Sequence, residues 1–267
     1  MNARFRRNLL VALVGAFAFA TASDANHSWG KYHWARSTQS FTLQTGDNVS
    51  STWDSYLTQA ISDWNPSNML ELQKVAGRTT GATCAPTAGR IEVCNAAYGT
   101  NGWLGIAQIW ATRSHITQAV AKMNDSYFNT ATYNTPAWRR LVMCQEVAHD
   151  FGLDHQDERF TNPNLGTCMD YTNDPDGPPS NEHPNAHDFV QLERIYGHVD
   201  STTTVGAAHL PAAAVRDPNH PSAWGQLVRS NTNGRVQVYE RQLGKHEKLI
   251  THVFWADPEA DAHGHHH

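Results

Sequence analysis

Gln145-Glu146-Val147-Ala148-His149-Asp150-Phe151-Gly152-Leu153-Asp154-His155 carries more chemistry than any other stretch of this 267-residue chain. Positions 145 and 149 are four apart and share one face of a helix. Gly152 permits the left-handed turn that ends a helix, so His155 can fold back toward the same point. Glu146 stands beside the first position, slightly displaced around the helix. Side chains so placed suit a metal ion held at positions 145, 149 and 155, with a carboxylate free to take a proton from water at the metal. A Glu-x-x-His pair on an amphipathic helix is more often a solvated face. Here Gly152, His155 and the downstream run Cys168-Met169-Asp170-Tyr171 coincide in order and distance, which argues against that reading.

Outward from this run, Pro136 opens the helix, which passes Trp138, Leu141 and Val142 at helical spacing and closes at Gly152. The stretch 172–184 is rich in Pro, Asn, Asp and Gly and reads as a surface loop. A last helix is expected over Ala186 to Tyr196. Upstream, Phe41 to Gln44, Leu70 to Val75, Arg90 to Val93, Trp103 to Ala111 and Ile116 to Met123 read as strands. Trp53 to Trp64 reads as an amphipathic helix stopped by Pro66. Residues 23 to about 36 show no pattern and read as a short leader. The fold class is therefore α+β, with a twisted mixed sheet, an active-site helix and a C-terminal helix. The domain spans 23–200. Residues 201–223 lose periodicity and read as a linker. Residues 224–257 alternate around Asn233-Gly234, a hairpin signal, and make a small C-terminal β segment with a third strand over Lys248 to Trp255.

The central run resembles the metzincin pattern His-Glu-x-x-His-x-x-Gly-x-x-His with its following Met-turn. The layout from about Phe41 to Tyr196 is similar to matrixin-like bacterial metalloproteases. The resemblance implies a zinc-dependent endopeptidase in which Glu146 is the general base, His149 and His155 are zinc ligands, and Met169 is the turn methionine beneath the metal. It implies that Tyr171 reaches the zinc or the oxyanion. A protein or peptide substrate would pair as an added strand along an edge of the sheet, with Gly102 to Ala111 as the candidate edge.

Gln145 departs from the pattern, standing where the first histidine belongs. An amide oxygen is a weaker zinc donor than imidazole. Three readings stay open: Gln145 ligates zinc weakly; His149 and His155 hold it with another group, Tyr171 being the nearest; or the site is empty. The last leads to a rival function, a catalytically silent secreted module that keeps the cleft and binds peptides or proteins.

Residues 1–22 read as a signal peptide: Arg4, Arg6 and Arg7 precede an apolar run from Leu9 to Ala20, with small residues at Ala20 and Ala22. The run is short of the roughly 20 residues that span a bilayer. The mature chain is expected outside the cell, or in the periplasm of a Gram-negative cell, with no membrane attachment after cleavage and no room for a folded inhibitory pro-domain before the first strand. The net charge of -5 and the lack of a basic stripe speak against nucleic acid as partner. Four cysteines in an exported chain suggest two disulfides, and proximity favours Cys84–Cys94 and Cys144–Cys168. Four of the 16 histidines crowd the tail 258–267 and say nothing about catalysis. Asp154, Asp157, Glu158, Asp170, Asp174 and Asp176 form an acidic neighbourhood that could hold a structural Ca2+. No spacing there matches an EF-hand loop, so a solvated loop is the simpler reading.

Overall fold

A mixed sheet is the frame of the molecule. The computed structural model describes residues 26–208, 219–231 and 234–257. The signal segment, residues 209–218 of the linker, Asn233 and the His-rich tail lie outside the described residues. In chain order the elements are β1 (His33–Trp34), β2 (Phe41–Asn48), α1 (Ser51–Trp64), β3 (Leu70–Ala76), β4 (Ile91–Ala96), β5 (Trp103–Thr112), β6 (His115–Asn124), α2 (Asp125–Phe128), α3 (Pro136–His149), α4 (Ala186–Ile195), β7 (Gln226–Ser230), β8 (Val236–Gln242) and β9 (Glu247–Trp255). The strands run in the order β3-β2-β4-β6-β5-β9-β8-β7, with β1 beside β6. The class is α+β, as read from the sequence. No helix among the described residues is long and apolar enough to cross a membrane.

β3, β2, β4 and β6 are mutually parallel, and β5 returns antiparallel to β6 through a tight turn at Arg113 and Ser114. Both central strands are buried on both faces, and their near-continuous apolar runs follow from that. One face packs against α1 and α3 through Trp53, Leu57, Trp64, Leu141 and Val147. The other is covered by the Cys84–Cys94 loop with Trp110 and Leu249, and by Trp224 over Ile106 and Val253.

α3 sits between α1 and the sheet, so nearly its whole surface is buried. Thr135 caps it by accepting from the Trp138 amide, and Pro136 fills the first turn where no amide partner is needed. Gly152 ends the turn after it at φ +98°; a Cβ there would sit 2.4 Å from the Tyr32 carbonyl oxygen, so glycine is required for conformation and for space. Disulfides join Cys84 to Cys94 and Cys144 to Cys168. The second ties α3 to the turn that holds Met169.

The structure departs from the sequence reading at two places. The segment read as a patternless leader is built into the core: Trp34 is fully buried, Trp29 nearly so, and the Trp34 indole donates to the Asp150 carbonyl at 2.9 Å. The C-terminal β segment is no appendage either. β9 pairs with β5 along its whole length, from Trp103↔Trp255 to Thr112↔Glu247. The edge expected to receive a substrate strand is therefore occupied by the chain itself.

Candidate metal centre

His149 is the last residue of α3, and His155 returns from the turn beyond Gly152. Their Nε2 atoms lie 3.0 Å apart. A third imidazole completes the group: His252, from the middle of β9, has a ring nitrogen within 4.8 Å of ligand atoms on the other two. The His252 ring stacks on His149 with centroids 4.0 Å apart and meets His155 at 74° and 4.5 Å. Trp29 stands edge-on to His149 and His252.

The hydrogen bonds around the rings decide which nitrogens are free. His149 Nδ1 lies 2.8 Å from the Leu153 carbonyl, which only accepts, so Nδ1 carries the proton and Nε2 the lone pair. His155 Nδ1 faces the Glu158 carboxylate at 3.3 Å, with the same consequence. Two lone pairs thus point at each other across 3.0 Å. Burial lowers the pKa of both rings well below the ordinary value, and the neighbouring His252 lowers it further, so imidazolium is disfavoured. A cation between the nitrogens removes the conflict. His252 Nε2 lies 3.6 Å from Asp154 Oδ1, whereas its Nδ1 is buried and engaged by no protein group. Asp154 is gripped by Arg229 of β7 through two bonds of 2.7 and 2.6 Å. Burial would raise its pKa, but the hydrogen bonds and charge of His252 and Arg229 outweigh that and hold it below the usual carboxylate range.

Glu146 is wholly buried on α3, and neither of its oxygens has a partner. Its carboxylate lies against β5, where a Cβ on Gly105 would come within 2.7 Å of Oε1. Burial drives its pKa well above the ordinary range. The Tyr171 hydroxyl is likewise buried and unpartnered, its pKa raised by burial first and by Glu146 second; its ring meets His155 at 4.3 Å and Phe254 of β9 at 4.5 Å. Orphaned polar atoms at such density beside three neutral imidazoles fit a metal ion and its water.

Gln145 is wholly buried one turn before His149. Its Nε2 donates to the Cys168 carbonyl at 2.7 Å, so the amide spans from α3 to the turn that holds Met169, and its Oε1 is buried and unpartnered. Met169 is fully buried, and its carbonyl accepts from the Gln156 amide at 2.6 Å, next to His155. The acidic neighbourhood is divided: Asp154 and Glu158 share Arg229 and meet His155, Asp157 pairs with Arg159, and Asp170 with Asn181. Among the described residues, Asp154 and Glu158 are the members of this neighbourhood that fall in one metal-capable group, and that group includes His155.

His252 was missed because no spacing rule links it to the central run. Its only trace in the sequence is a lone imidazole inside the apolar run Ile250-Thr251-His252-Val253-Phe254.

No protein-family model matches the chain, and no curated protein does either. Among solved structures the chain is similar to High choriolytic enzyme 1, a hatching-enzyme zinc-protease from the medaka fish Oryzias latipes. The two are 10% identical with a TM-score of 0.34, over 62% of this chain and 94% of that one.

Proposed function

We propose that the chain is an exported zinc-dependent endopeptidase whose zinc is held by His149, His155 and His252, with Glu146 as general base. The observation that carries this reading is the convergence of the three imidazoles, two with their free Nε2 atoms 3.0 Å apart. Three neutral imidazoles are a donor set suited to zinc, and three protein ligands leave a position open for chemistry. The zinc would supply Lewis acidity, bringing the pKa of water down to about 7.

The chain's own groups do the rest. Glu146 takes a proton from the attacking water onto its carboxylate as the new C–O bond forms, then delivers it to the amine nitrogen as the C–N bond breaks. Tyr171 offers its hydroxyl hydrogen to the carbonyl oxygen as charge develops there. Asp154 and Glu158 orient the ligand rings from behind. Gln145 supports the helix-to-turn junction through Cys168.

Since His252 lies on β9, that strand cannot leave the β5 edge without removing a ligand. Substrate must then reach the centre without pairing with β5. The occupied edge also favours a second reading, a zinc protein whose cleft stays closed and which turns over no peptide. Zinc titration and a quenched-peptide assay separate these. On the first reading, hydrolysis is abolished by a zinc chelator, and Glu146→Gln lowers the rate by about 10²–10⁴-fold with zinc retained. His252→Ala loosens zinc, while Gln145→Ala leaves its affinity nearly unchanged. Full zinc occupancy with no cleavage of any peptide pool selects the closed protein. Tight zinc in His252→Ala and loose zinc in Gln145→Ala would return the third bond to Gln145.

A further inference from the structure

Away from the central histidines, a second set of ligand-type side chains meets where three segments converge. His33 is on β1, His115 begins β6, and His198 and Asp200 follow α4. We infer that His33, His115, His198 and Asp200 form a second, structural zinc site. Asp200 Oδ1 lies 3.5 Å from His33 Nε2, 3.3 Å from His115 Nε2 and 3.7 Å from His198 Nε2. His33 Nε2 and His198 Nε2 are 3.2 Å apart. A tetrahedral ion with bonds of about 2.0–2.1 Å separates its ligand atoms by roughly 3.3–3.4 Å. The four separations cluster around that edge and are mostly long for charge-assisted hydrogen bonds, which run about 2.7–2.9 Å.

The orientation of the groups agrees. The His33 ring crosses those of His115 and His198 at 79° and 80°, so neither stacks flat on it. His33 Nδ1 sits 2.8 Å from the Lys31 carbonyl, which fixes its proton there and leaves Nε2 with a lone pair. Asp200 is held from both sides: Oδ2 accepts from the Arg36 amide at 3.1 Å, and its own amide donates to the Arg36 carbonyl at 2.7 Å. Oδ1 is left facing the three rings. His33 and Asp200 are nearly buried, whereas the His115 and His198 side chains are 32% and 51% exposed, so an ion can enter from solvent. A cavity of about 320 Å³ lined by Lys31, His33, Ser114 and His198 adjoins the group.

His33, His115 and Asp200 have ligand atoms within 4.8 Å of one another, and His198, 3.2 Å from His33, would be the fourth donor. Four protein ligands leave no open position, as in a structural rather than a catalytic site. The ion would cross-link β1, the β5–β6 turn and the end of α4. It would thereby fix the N-terminal segment that carries Trp29 over the central histidines.

The test is zinc stoichiometry of the exported full chain with the four tail histidines replaced by alanine, which removes their weak binding. Two zinc ions per chain are expected. His115→Ala combined with His198→Ala, both partly exposed and safe for folding, should leave one and lower the zinc-dependent rise in melting temperature. His155→Ala should also leave one, and its Co2+-substituted form should show tetrahedral d–d absorption that the double variant's second site lacks. A single zinc, lost in His155→Ala and unaffected by the His115/His198 pair, overturns this site and makes the cluster a hydrogen-bonded network only. A single zinc lost with the pair and kept in His155→Ala supports it while refuting the central site.

Discussion

His252 lies nearly parallel to His149, at 20° between ring planes, although one comes from the last strand and the other from the central helix. The pair joins the last strand to the central helix where both rings are fully buried, with Asp154 and Arg229 behind it. Asp154 touches none of the free nitrogens; it faces His155 and His252 from the far side, each at 3.6 Å. Asp154→Asn should therefore weaken zinc about 10–100-fold, the usual size of an outer-shell effect. Competition against a chromophoric chelator measures it. An affinity equal to wild type would take Asp154 out of the metal's support.

Gly105 makes room for the base. A Cβ at this position would lie 2.6 Å from Val142 Cγ1 and 2.7 Å from Glu146 Oε1, both distances that real side chains avoid. Gly105→Ala should cost roughly 1–3 kcal/mol of stability, as overpacking usually does. It should also lower any peptidase rate more than it lowers zinc content. Thermal melts and the peptide assay read the two effects, and wild-type values in both would show that Glu146 is not held against β5.

Asp170 gives a pH signature. Burial raises its pKa to about 6, against the favourable bonds from the Leu165 amide and Asn181. The unfolded carboxyl titrates near 3.9, so between about pH 4 and pH 6 the folded chain binds more protons. Its contribution is fully present below the unfolded pKa and is lost as pH rises through about 6. Oδ2 accepts both bonds and Oδ1 is unpartnered, so asparagine fits without losing either. The stability of Asp170→Asn relative to wild type should climb by on the order of 1–3 kcal/mol across that window and then level off. Denaturant unfolding at a series of pH values checks it; a constant difference would mean that Asp170 titrates normally.

Much of this architecture is written locally. Apolar residues at helical spacing mark two helices: that read over Trp53 to Trp64 forms over Ser51–Trp64, and that opened by Pro136 ends at His149, three residues before Gly152. The strands alternate or run apolar according to whether one or both faces are buried. His149 and His155 follow the same local logic, since one helix and one turn bring their Nε2 atoms to 3.0 Å, with Glu146 one turn earlier on that helix. The position of His252 depends on which strand β9 pairs with, a long-range choice that no local period encodes. The leader 23–36 misled because Trp29 and Trp34 pack singly from irregular backbone, where neither a 2.0 nor a 3.6 period applies. Gln145, read as a ligand by its spacing, gives its amide nitrogen to the Cys168 carbonyl beside the Cys144–Cys168 disulfide, while its amide oxygen stays buried and unpartnered.

Zinc and the C-terminal strands should be coupled. His252 is the only residue of β9 in the central group, and β9 is bonded to β5 on one side and β8 on the other. A metal bond from His252 to the helix-borne His149 would tie this part of the sheet to α3. Ligand binding stabilises the state that binds it, and local opening is read by amide exchange. Stripping zinc should accelerate exchange in β8 and β9 and along the β5 edge they cover, while β3 and β2 at the opposite end of the sheet change little. Loss of metal from the His33 cluster would instead loosen β1 and the chain after α4, so the two sites give separable patterns. His252→Ala should exchange quickly in β9 whether or not chelator is present, because the link is already gone. If wild-type β9 exchanges at one rate with and without zinc, His252 does not hold the metal, and the third ligand must come from elsewhere.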